Sequence, residues 1–183
     1  MTLGQIVIEK ELSGRRVTIR YMNKDDAEPM RRYMNKLSKE QTFITYQGEE
    51  ITAEEEQKYV EETIKKMENG VIVKLLLLVD DVVVGTTEVG LGTRTHTHVG
   101  GLGLSVDFSV RGLGLGRLLL ETVIAEAKKE LKGLRMIELS VFAINDIAIS
   151  LYKSYGFQEV GRVPNKIFYK GEYVDEVIMC LQV

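Results

Sequence analysis

The chain has little of what announces several common functions. Its one cysteine, Cys180, cannot form an internal disulfide. Its place in the apolar run Val177–Leu181 predicts a buried packing thiol, with no local base to activate it. There are two histidines, His96 and His98, spaced so that both could face one side of a strand. No cysteine, aspartate or third histidine lies near enough to complete a zinc site, so no metal is expected. Tryptophan is absent and prolines number two. There is no surplus of basic charge: 24 Lys and Arg stand against 27 Asp and Glu. That balance argues against general nucleic-acid binding, which draws on released counterions. Long apolar runs are also missing. The longest, Leu75–Val79, is far short of a membrane span, and Met1–Gly14 has no signal-peptide core. A cytoplasmic protein without a membrane partner is the expectation.

What is present suits a folded enzyme-sized unit. With 183 residues, 44% of them hydrophobic, the chain can bury a core without staples. No repeat or linker divides it, so one domain over 1–183 is expected. Arg15–Tyr21 alternates as a strand. Asn23 reads as the N-cap of a helix reaching about Leu37, and Thr52 with Glu55 as the capping box of the next. Strands follow at Ile72–Val79 and Val82–Gly90, joined by an Asp80–Asp81 hairpin turn, then at about His98–Val106. A helix follows Arg111–Arg117 and ends at Lys132–Gly133. Met136–Phe142 is a strand, and Asn145–Tyr155 a helix with Ile147, Ala148, Leu151 and Tyr152 inward. Strands at Phe157–Arg162 and about Ile167–Gln182 close the chain, the latter open to a break at Lys170–Gly171. This order predicts an α/β fold with a mixed, partly antiparallel sheet of about seven strands and helices on both faces.

The segment Arg111-Gly112-Leu113-Gly114-Leu115-Gly116-Arg117 carries the chemistry. A strand feeds a glycine-rich turn that opens a helix. The first N–H groups of a helix lack internal partners and sit at the positive end of its dipole, where a phosphate is the natural ligand. Glycines let backbone approach the phosphate, and the bracketing arginines add charge. A Walker loop is excluded because no Gly-Lys-Ser/Thr follows. The spacing G-x-G-x-G is not a dinucleotide fingerprint, and the turn lies past mid-chain. A glycine-rich connection without a ligand is the other interpretation.

The run VDFSVRGLGLGRLLLETVI resembles the acetyl-CoA-binding motif of the GNAT family of N-acetyltransferases, Arg/Gln-x-x-Gly-x-Gly/Ala, met by Arg111, Gly114 and Gly116. A second match, Asn145, Ala148, Leu151-Tyr152 and Gly156-Phe157, resembles the family's N-x-x-A-x-x-L-Y-x-x-x-G-F signature. The element order is similar throughout. The resemblance implies acetyl-CoA as cosubstrate and a primary amine as acceptor: a protein N-terminus, an amino acid or a polyamine. In that family the cofactor lies in an opening between two parallel strands, here about Val99–Val106 and Met136–Phe142. Leu104, Ser105 and Val106 would contact the pantetheine arm, and an N–H near Val106 would stabilise the oxyanion. The amides of Gly112–Arg117 would hold the pyrophosphate. Asn145 would bond the pantetheine region, besides capping its helix. Tyr152 would protonate the leaving thiolate; a core aromatic is its other interpretation.

Many relatives place a base in a sequence like H-V-G-E-L-G, where this chain has His98-Val-Gly-Gly101-Leu-Gly. Glu88, on the preceding strand, is the substitute general base, acting directly or through water, with Glu138 a weaker candidate and a surface or structural carboxylate the bland alternative. Gly101 also gives weight to a non-catalytic acyl-CoA-binding or sensor domain on the same fold. Amine specificity is expected from the loop Phe43–Glu50, whose acidic rim would attract a cationic amine. The family's C-terminal strands often mediate dimers, so the resemblance admits a homodimer.

Overall fold

A computed structural model describes all residues from Met1 to Val183. The chain falls into two compact units, Met1–Gly90 with Gly103–Lys132, and Leu91–Leu102 with Gly133–Val183.

The first unit starts with β1 (Ile6–Leu12), which pairs antiparallel with β2 (Arg15–Tyr21). After β2, Asn23 caps a 3-10 turn by accepting from Asp25 N, and Asp26 returns the bond to Asn23 N at 2.7 Å. Asp26 is buried and also bonded by both terminal nitrogens of Arg20, at 2.7 and 2.6 Å. That pair fixes the start of α1 (Ala27–Lys39). Thr52 and Glu55 form the expected capping box of α2 (Ala53–Glu68).

β3 (Ile72–Val79) is buried along its whole length. Its neighbours explain why it is apolar at every position but Lys74 rather than alternating. Tyr59 of α2 reaches the side chains of Lys74 and Glu88 on one face. Tyr21, opposite Leu75, bonds Glu126 of α3 (Leu115–Glu130) on the other. β3 turns through Asp80 and Asp81, both at positive φ, into β4 (Val82–Leu91). β5 (Val99–Val106) contributes its second half to this unit, where Gly103 O accepts from Thr87 Oγ1 at 2.8 Å.

In the second unit the first half of β5 pairs parallel with β6 (Met136–Phe142) over Val99–Gly101. β6 pairs antiparallel with β8 (Glu172–Gln182), and β8 with β7 (Gln158–Tyr169). α4 (Asp146–Tyr155) is the helix of this unit.

The fold is the expected mixed α/β one, with four α-helices and eight strands rather than about seven. The added strand, β1, has no fully buried residue, so it lacks the alternation that marks a strand in sequence. β7 runs past Arg162 to Tyr169 because the Val163–Ile167 register shift carries it through Pro164 and Asn165, whose N–H bonds Asp175 Oδ1 at 3.0 Å. The break at Lys170–Gly171 is a turn between β7 and β8. Ile147 is not inward: it is 86% exposed. Cys180 is half-buried rather than fully packed. His96 ends an exposed 3-10 turn, so it shares no strand face with His98. No helix is long and apolar enough to cross a membrane.

Candidate active site

In the first unit, β5 ends in a tight sequence of polar locks. Asp107 is buried, accepts from Ser109 N and Ser109 Oγ at 2.9 and 2.5 Å, and pairs with Lys36 Nζ at 2.5 Å. Burial pushes its carboxyl up, but those partners outweigh it and hold the group below the usual carboxylate range. Just upstream, Ser105 Oγ lies 2.8 Å from the Tyr33 hydroxyl of α1, so the strand's end is tied to the first helix.

The glycine turn follows. Gly112 and Gly114 have φ of 78° and 76°, and a Cβ on either would meet no atom within 4 Å. They are therefore left-handed for the path of the chain, with open space beside them. Gly114 is the N-cap of α3 and offers no side chain, so the first N–H groups of the helix, from Leu115, Gly116 and Arg117, are not capped by it. Backbone donors, positive dipole and open space together fit a phosphate.

Arg111 does less at this turn than its position suggests. Its guanidinium bonds the Val106 carbonyl at 3.1 and 3.0 Å and Glu40 Oε2 at 2.6 Å. Glu40 also accepts from Phe108 N, so one carboxylate at the end of α1 holds both ends of the 3-10 turn Phe108–Val110 that leads into the glycine turn. Arg111 thus fixes the end of β5, whereas Arg117, half exposed, lies within ion-pair reach of Glu121 at 3.9 Å. Leu104 and Val106 are half-buried and Leu113 is exposed.

Glu88 is not a surface carboxylate. It stands opposite Lys74 in the β3–β4 ladder, and its Oε2 accepts from Lys74 Nζ at 2.9 Å and from the Tyr59 hydroxyl at 3.1 Å. The Lys74 side chain is 5% exposed and that of Glu88 34%. Burial raises the Glu88 carboxyl, but the Lys74 ammonium and the Tyr59 hydroxyl prevail and hold it below its ordinary value. Lys74, penalised by burial, is kept charged by Glu88 and Tyr59. Lys74 and Tyr59 escaped the sequence pattern, although a lone lysine inside IVKLLLLV was a signal.

In the second unit, Asn145 caps α4 by accepting from Ala148 N at 3.2 Å. Tyr152 is buried on that helix, with its ring 5.7 Å from that of Phe157. Burial pushes its hydroxyl up to about 12, so it keeps its proton at neutral pH. Glu138 lies opposite Cys180 in the β6–β8 ladder. No group of three metal-binding side chains is assembled. The expected acidic rim is partly neutralised: Glu50 pairs with Lys39 at 2.6 Å, and Glu49 is turned onto the Gln47 amide.

Known proteins share this fold. Residues 31–157 match the Acetyltransferase (GNAT) family. The chain is 34% identical over 109 residues to the L-amino acid N-acetyltransferase AaaT of Escherichia coli (strain K12), a span of 59% of this chain and 67% of that protein. The crystal structure of a GNAT-family acetyltransferase from Streptococcus pneumoniae superposes with a TM-score of 0.83 at 26% identity, covering 91% of this chain and 99% of that one. The fold is also that of yncA, a putative acetyltransferase from Salmonella typhimurium solved with its cofactor acetyl-CoA (TM-score 0.78, 22% identity, 91% and 93% covered). The matched span takes in the phosphate-type turn, Glu88, Asn145 and Tyr152, and the chain belongs to the acetyltransferase (GNAT) family as an acetyl-CoA-dependent N-acetyltransferase.

Proposed function

We propose that this enzyme acetylates the primary amine of a small acceptor, a free amino acid being the class best supported. The likeness to an L-amino acid N-acetyltransferase over 109 residues favours that class over a protein N-terminus or a polyamine. The observation that carries the cofactor assignment is the pair of left-handed glycines opening α3.

Acetyl-CoA supplies an activated acetyl thioester. The amides of Gly112, Leu113, Gly114, Leu115, Gly116 and Arg117 hold its pyrophosphate, and Arg111 keeps the end of β5 in place. Backbone of Leu104, Ser105 and Val106 pairs with the pantetheine arm, and the N–H near Val106 stabilises the oxyanion. Asn145 contributes a further hydrogen bond. Glu88, ionised throughout the neutral range, accepts a proton from the acceptor ammonium directly or through water. Held below its ordinary value it is a weak base, so it anchors the ammonium first and takes the proton as the nitrogen turns acidic on attack. As the amine attacks and the carbon–sulfur bond breaks, Tyr152 gives its proton to the leaving sulfur. A phenol that has kept its proton suits that role. All these roles are proposed for one catalytic domain over 1–183, whether it acts alone or as a homodimer.

Thiol release from acetyl-CoA, measured over a panel of amino acids, N-terminal peptides and polyamines, tests the acceptor. Turnover on free amino acids supports the proposal, and turnover confined to peptides or polyamines replaces it.

A further inference from the structure

The Lys74–Glu88 pair poses a question of energetics. A lysine buried in a strand otherwise made of Ile, Val and Leu is costly to desolvate. One carboxylate offsets this, but two apolar residues would serve the core as well. The pair therefore makes more sense as a device acting on Glu88 than as a stabiliser.

The geometry shows what the device does. Both hydrogen bonds to Glu88, from Lys74 and Tyr59, fall on Oε2. The other oxygen, Oε1, is turned toward β5, where Gly103 is exposed. A Cβ at Gly103 would meet Glu88 Cγ at 3.5 Å and Oε1 at 3.9 Å. Glycine thus leaves room for at least a methyl-sized group beside the free oxygen. α2 closes the far side: Tyr59 covers Lys74, with Nζ 5.4 Å from the ring centroid, and Glu56 is buried with Oε1 lacking any partner.

We infer that Tyr59 and Lys74 are positioning residues that clamp Glu88 by Oε2 so that Oε1 receives the acceptor ammonium in the space above Gly103. The inference rests on the role proposed for Glu88. Lys74 does not touch the acceptor, since its side chain is almost wholly covered. The ionisable groups facing Glu88 are Lys74 from β3 and Tyr59 and Lys66 from α2, while Lys74 also attracts Glu56 of α2. Lys74, Tyr59 and Lys66 all favour the ionised carboxylate. Loss of a clamp therefore leaves the opposing effect of burial less balanced, and Glu88 gains its proton at higher pH.

The test compares the full chain with Tyr59→Phe, Lys74→Met, Gly103→Ala and Glu88→Gln. Steady-state rates are taken against pH with one fixed amino acid, and acetyl-CoA affinity is taken by calorimetry. With the acceptor fixed, a displaced acid limb belongs to the enzyme. Tyr59→Phe is expected to lower kcat/KM for the acceptor about tenfold and move the acid limb to higher pH. Lys74→Met moves it further, and neither changes acetyl-CoA affinity. Gly103→Ala, at a backbone position any residue adopts, raises the acceptor KM and leaves the limb in place. An unmoved limb in Tyr59→Phe overturns the inference even if Lys74→Met fails to fold, as does an unchanged acceptor KM in Gly103→Ala. Full rate and an unaltered profile in Glu88→Gln instead overturn the underlying role of Glu88.

Discussion

Lys74 and Glu88 face each other because β4 carries one extra residue between them and the hairpin turn. Val79 pairs with Val82 and Leu78 with Val83, but Leu77 pairs with Gly85, so Val84 is skipped. Without that bulge, Lys74 would oppose Thr87 and Glu88 would point to the other face of the sheet. Val84 does not lose its bonding: its carbonyl accepts from Asp107 N at 2.8 Å. Gly85, next along, lets β5 pass, for a Cβ there would sit 3.0 Å from the Ser105 carbonyl oxygen.

The pair's energetics can be measured. Lys74→Met leaves a partly buried carboxylate without its cation and should cost about 2 kcal/mol, below the usual figure because Glu88 is a third exposed. Adding Glu88→Leu should restore most of that loss. Urea unfolding of the two single variants and the double variant gives the cycle. A double variant as unstable as the sum of the singles would show that the pair is needed by the core.

Gly114→Val should fail twice. A β-branched residue at φ of 76° costs roughly 1–2 kcal/mol in stability, and its side chain enters the space beside the turn. Acetyl-CoA affinity should fall by about tenfold or more in calorimetry. Unchanged affinity would move the pyrophosphate site elsewhere.

Tyr152→Phe should lower kcat by about one order of magnitude or more with little change in acetyl-CoA affinity. Full turnover would reduce Tyr152 to the partner of Phe157 in packing.

Asp107 gives a pH-dependent stability. Its carboxyl is below its ordinary value of 3.8, so the stability it adds is complete well above that value and is lost as pH falls through the lowered one. Asp107→Asn should cost about 1–2 kcal/mol at neutral pH. The gap between the two proteins in urea should narrow below about pH 4. A gap that stays constant into acid would show that the charge of Asp107 contributes nothing.

Much of the fold was legible where local chemistry decides it. Thr52 caps its helix, and Asn23 the 3-10 turn that leads into α1, whose own N-cap is Asp26, because their side chains satisfy nearby N–H groups; the Asp80–Asp81 turn needs only two residues at positive φ. The glycine turn was legible for the same reason. What escaped was set by partners distant in sequence. β1 has no buried face to alternate. The bulge at Val84 leaves no mark in the alternation yet decides which face Glu88 takes, so Lys74 stood out in IVKLLLLV but its pairing with Glu88 could not be read. Arg111 has the place of a phosphate ligand, but Glu40, remote in sequence, draws it back to the end of β5. Ile147 fits an inward helical position, yet α4 leaves it exposed.

The central claim is transfer of an acetyl group to a free amino acid with Glu88 as its acceptor-side carboxylate. Its most direct test is mass detection of the N-acetyl amino acid, with matching thiol release, for the wild type and Glu88→Gln at saturating acetyl-CoA. The account predicts product from the wild type and a rate reduced about a hundredfold in Glu88→Gln, with acetyl-CoA affinity retained. Acetyl-CoA binding without product on any amino acid, or equal rates in the two proteins, would contradict it.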